Sequence, residues 1–117
     1  MKDPPKAIKR LLLEQLAVAY EEELHRALVP LAEAFDEWRR GQVTSRELAE
    51  RIHAFHEGPA QDLWKKYEEG SPELLLGYAI TNGILSREGL PPKLRKHLES
   101  AIRFHEGPAY RFPWDPE

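Results

Sequence analysis

The sequence contains no cysteine, one methionine and one asparagine in 117 residues. Without cysteine there is no disulfide framework and no thiolate chemistry. Residues that favour a pleated surface are also scarce: three Val, five Ile and two Thr stand against 16 Leu and 12 Ala. That balance predicts an all-α fold. Long hydrophobic runs are missing as well, because the longest uncharged stretch runs only from Leu74 to Leu85 and on to Ser86, too short to cross a bilayer. The opening Met1-Lys2-Asp3-Pro4-Pro5-Lys6 lacks the basic-then-apolar layout of a secretory signal, so the expected address is the cytoplasm. Four serines, none in a Gly-x-Ser-x-Gly elbow, and no Walker-type phosphate loop argue against an enzyme and against a bound cofactor.

Hydrophobic residues make up 41% of the chain and charged residues 32%, with a net charge of -3. These figures suit one globular domain with a core and a solvated outside. The expected layout is a single helical domain over residues 1–109, a small bundle of about five helices, followed by an extended tail over residues 110–117. Ten prolines and ten arginines beside so few thermolabile residues fit a heat-tolerant protein, although a GC-rich genome enriches the same residues.

Asp3 is a competent N-cap for the first helix, with Pro4 and Pro5 in its first turn. From Ile8 the apolar residues Leu12, Leu16, Tyr20, Leu24, Leu28, Leu31, Phe35 and Trp38 recur every three or four positions. Leu11, Leu13, Ala17 and Val18 add a second stripe, which makes the segment from Leu11 to Tyr20 apolar over most of its circumference. It therefore needs neighbours on more than one side, and Leu11, Leu13 and Val18 are candidate contacts with a second subunit. A helix reaching Arg40 would be about 54 Å long. A compact domain of this size has a radius of gyration of about 13 Å, so Pro30 is expected to kink or break the rod.

Gly41 ends this segment, and Thr44 with Glu47 forms a capping box for the next helix, which Gly58 is expected to close in the left-handed region. A short helix then presents Leu63, Trp64 and Tyr67 and stops at Gly70. Ser71-Pro72-Glu73 opens another, ending at Asn82-Gly83, and the last helix follows Pro91-Pro92 with Leu94, Leu98, Ala101, Ile102 and His105 on one face. In the tail, Tyr110, Phe112 and Trp114 alternate, as on one side of an extended strip. They are the other candidate contacts, docking on the domain itself or on a second subunit.

The hexapeptide Phe-His-Glu-Gly-Pro-Ala occurs twice, at residues 55–60 and 104–109. Gly-Pro after a terminal His reads as a helix stop, but Glu57 and Glu106 would then face the negative end of the helix dipole and need a compensating partner. The sharper alternative is a divalent transition-metal site using His53, His56, Glu50, Glu57, His105 and Glu106. Glu22-x-x-His25 and Glu50-x-x-His53 repeat the one-turn carboxylate–imidazole spacing of di-iron bundles, although 16 Glu and five His produce such spacings by composition alone.

The stretch from Gln42 to Ile52, with Arg39, Arg40, Arg46 and Arg51 close by, resembles the start of a helix in helix-turn-helix DNA-binding domains. That resemblance implies a nucleic-acid partner, yet Glu47, Glu50 and Glu57 share the helix and the net charge is negative, so phosphate attraction is weak. The leading expectation is thus a small helical protein acting through protein–protein association, most simply as a homodimer. Metal binding and nucleic-acid binding are the alternatives.

Overall fold

A computed structural model describes residues 5–106, with side chains described for 5–103. Asp3, the tail aromatics Tyr110, Phe112 and Trp114, and Gly107 lie outside the described residues, as do the side chains of Phe104, His105 and Glu106. The described chain is all-helical. Its elements are α1 (Lys6–Arg39), α2 (Ser45–Phe55), a π-helical turn (His56–Ala60), α3 (Gln61–Glu69), α4 (Pro72–Thr81) and α5 (Pro92–Glu106).

Helix α1 is unbroken over 34 residues, with Pro30 inside it. Of the kink or break expected at Pro30, the break does not occur. Proline forfeits one hydrogen bond, and Pro30 is exposed beside an open cavity, so no tightly packed neighbour has to move for its ring. The molecule accommodates the rod by being long: it measures 54 × 28 × 22 Å with a radius of gyration of 17.3 Å, well above that of a compact domain of this length. The start of α1 is also later than expected. Pro5 is its extended N-cap (φ -53°, ψ 151°) rather than part of the first turn.

The spacing of the α1 stripe explains how one rod serves several partners. Each step of four residues advances 400°, a drift of about 40° round the helix. Ile8, Leu11, Leu12, Leu16 and Ala19 accordingly join the main core with α4 and α5. Tyr20 meets Tyr67 of α3, ring edge to face at 5.3 Å. Further along, Ala34 and Phe35 pack with Val43 and Leu48 in a second, smaller core beneath α2.

After the Gly41 turn (φ +76°), the Thr44 hydroxyl accepts from the Glu47 amide at 3.1 Å and starts α2, as the capping box predicts. The expected stop at Gly58 is not made. Gly58 does not have positive φ, and the chain continues through the π turn into α3. Pro59 is the reason: it cannot donate to the Phe55 carbonyl, and a π turn widens the helix by one residue instead of ending it. The segment Ser45–Glu69 therefore runs back along α1 as the second arm of a helical hairpin.

Helices α4 and α5 pack on the N-terminal half of that hairpin. Leu75, Leu76, Gly77, Ala79 and Ile80 bury α4, and Leu94, Leu98, Ala101 and Ile102 bury one face of α5. His97 lies 3.3 Å from Glu73 and Ala101 sits beside Gly77, so the two helices run parallel. A Cβ on Gly77 would come within 2.8 Å of the Ala101 carbonyl oxygen, so only glycine permits this approach.

Candidate functional site

Two features stand out where α3 crosses α1: a buried polar cluster and an exposed apolar face. The cluster is built by Glu23 of α1, Lys66 and Tyr67 of α3 and Tyr78 of α4. Lys66 Nζ donates to both Glu23 carboxylate oxygens at 3.0 and 3.1 Å, and the Tyr67 hydroxyl donates to Glu23 Oε2 at 2.5 Å. Lys66 Nζ also lies 4.0 Å from the centre of the Tyr78 ring, within cation–π range. The Lys66 side chain is 5% exposed and that of Glu23 14%.

Burial raises the Tyr67 hydroxyl well above the usual phenol range; its hydrogen bond to Glu23 and the Glu23 charge push it further in the same direction, and Tyr78 adds to the effect. The phenol stays protonated and the ammonium is held against its counter-ion. This chemistry ties α1, α3 and α4 together.

The apolar face lies on the other side of α3. Leu13, Trp64 and Val18, at 58%, 56% and 51% exposure, are the most exposed large apolar side chains described. Trp64 projects beside a cavity of about 330 Å³ that Leu16, Ala17, Tyr20, Tyr67 and Glu68 line with it. Leu13 stands one turn before Ala17 on the same flank of α1. Val18 stands about 140° round from Leu13 and does not share this face. Leu11 is partly buried against the main core. Of the candidate contacts among described residues, Leu13 alone lines up with Trp64.

The metal candidates with described side chains lie at the surface. His25, His53, His56, Glu50 and Glu57 are all exposed, and among the described residues no group of three or more His, Asp or Glu is placed to hold an ion. Glu22 pairs with Arg26 at 2.9 Å and Glu50 with Arg46 at 3.4 Å. The dipole argument for a compensating partner at Glu57 lapses, because the helix continues to Glu69. The arginines near the start of α2 are also engaged: Arg51 meets Glu37 at 3.2 Å, Arg39 meets Asp36 at 3.7 Å and Arg40 donates to Gln42 at 3.4 Å.

Sequence reasoning did not find Glu23 and Lys66. The signal was present: Glu23 falls among Ala19, Tyr20 and Ala27 at helical spacing, and Lys66 lies one turn past Leu63. Opposite charges on two apolar stripes announce a buried pair. No protein-family model, curated protein or solved structure matches the chain.

Proposed function

We propose that the protein works by associating with itself, as a homodimer, through the face of α1 and α3 around Leu13 and Trp64. The observation that carries this reading is a half-exposed tryptophan beside a hollow of about 330 Å³. A two-fold interface must be self-complementary, and a projection next to a recess on one face lets each copy fill the other. Trp is also the residue type most often dominant in such contacts. Charge supports the same pairing: Lys6 and Lys9 lie toward one end of this face and Glu21 and Glu68 toward the other, Arg10 being paired with Glu14 at 3.6 Å, so an antiparallel arrangement sets opposite signs together. Sedimentation equilibrium of the full chain tests it. A dimer at micromolar concentration is expected, weakened by Trp64→Ala by about 2 kcal/mol or roughly thirty-fold in Kd. A single species of 13.6 kDa overturns the reading.

A further inference from the structure

A groove runs along a different part of the hairpin. A cavity of about 420 Å³ lies between α1 and α2, with Pro30, Leu31, Ala34, Ala54 and Phe55 on its apolar lining and Arg51 beside them. A second, of about 390 Å³, is lined by Arg26, Asp62, Leu63 and Ile84. Ala27 and Pro59 line both, so the two form one continuous trough. It stays open because its lining is rich in small side chains and because the α4–α5 pair covers only the other half of the hairpin.

The chain itself arrives at the near mouth of this groove. Helix α5 runs parallel to α4, so Glu106, five residues or about 7.5 Å beyond Ala101, leaves at the Asn82–Gly83 end of the pair. At that end the Arg26 guanidinium donates to the Gly83 carbonyl at 3.3 Å, and Ile84 lines the cavity. Residues 107–117 follow, with an extended reach of about 36 Å. From Arg26 to Ala34 the groove spans about 12 Å of helix, and Tyr110 to Trp114 in extended form spans about 13 Å.

We propose that residues 108–116 of the same chain lie in this groove, with Tyr110, Phe112 and Trp114 facing inward, and strap the end of α5 to the tip of the hairpin. The strap supplies the third layer that the α1–α2 half of the hairpin lacks.

Because the chain has no cysteine, Glu117→Cys gives a unique thiol for a nitroxide spin label on the full-length protein. The amide signals of Ala34, Arg51 and Ala54 should be broadened beyond detection while those of Lys6 to Arg10 survive, and Ala54→Arg should restore the lost signals. A mixture of spin-labelled chain and isotope-enriched unlabelled chain separates the two possible owners of the strap. Broadening that appears in the enriched chain of the mixture assigns the segment to a second copy and overturns the proposal, as does the absence of broadening at the groove in the singly labelled protein.

Discussion

At the scale of the residue, the buried Glu23–Lys66 pair is where a single change has its greatest effect. Lys66→Met leaves the Glu23 carboxylate buried against Tyr67 with its cation gone, and should cost about 3 kcal/mol in denaturant unfolding. Adding Glu23→Gln removes the orphaned charge and keeps an oxygen for the Tyr67 hydroxyl, so the double variant should recover to within about 1 kcal/mol of the parent. A double variant no more stable than Lys66→Met would show that the pair contributes more than charge compensation. Tyr67 gives a second handle. Folding favours its protonated phenol, so this contribution is fully present below the unfolded value near pH 10 and is lost as pH rises above it, where the unfolded chain releases the proton first. In an alkaline titration one of the four tyrosines should ionise only on unfolding, and Tyr67→Phe should make stability fall less steeply above about pH 10.

At the scale of the element, glycine and proline carry opposite meanings at sites that look alike in the sequence. Gly83 and Gly41 hold φ of +73° and +76° and end helices as their neighbours predict. Gly58, followed by Pro59 as at a helix stop, instead lies inside the π turn, and beyond its chain neighbours and its own helix backbone nothing comes within 4 Å of where a Cβ would be. Gly58→Ala should therefore cost less than Gly83→Ala, because at Gly58 only the Pro59 ring crowds the new Cβ, whereas at Gly83 the positive φ makes the cost about 1–2 kcal/mol; thermal unfolding reads the difference. The capping box at Thr44, the Ser71-Pro72 start and the apolar face of α5 were legible in the sequence because each depends on residues within one or two turns. The passage of helix through Pro30 and Pro59 was not, since it depends on which side of a helix its partners leave to solvent. A local pattern holds no record of that.

At the scale of the whole molecule, α1 is a spine whose two halves are held by unequal cores. Around its N-terminal half the main core gathers Leu12, Ala19, Leu76, Leu85, Leu94 and Leu98 from α1, α4, α5 and the segment between them. Around its C-terminal half, among the described residues, a smaller core gathers Ala34, Val43 and Leu48, with Phe35 against them. The sequence showed the long apolar stripe but not this division, because the 40° drift per step makes one continuous pattern serve three successive surfaces. Apolar area sets how much free energy opposes local opening, so the molecule should not unfold as one unit. In native-state hydrogen exchange, the amides of α2 should exchange through a partial opening that leaves α4 and α5 protected, and those of α4 should exchange only with global unfolding. Leu48→Ala should then speed exchange in α2 while leaving that of α4 nearly unchanged. Leu76→Ala, in the larger core, should cost about 2–5 kcal/mol and speed exchange throughout, because opening that core frees the end of the spine on which α3, α4 and α5 all rest.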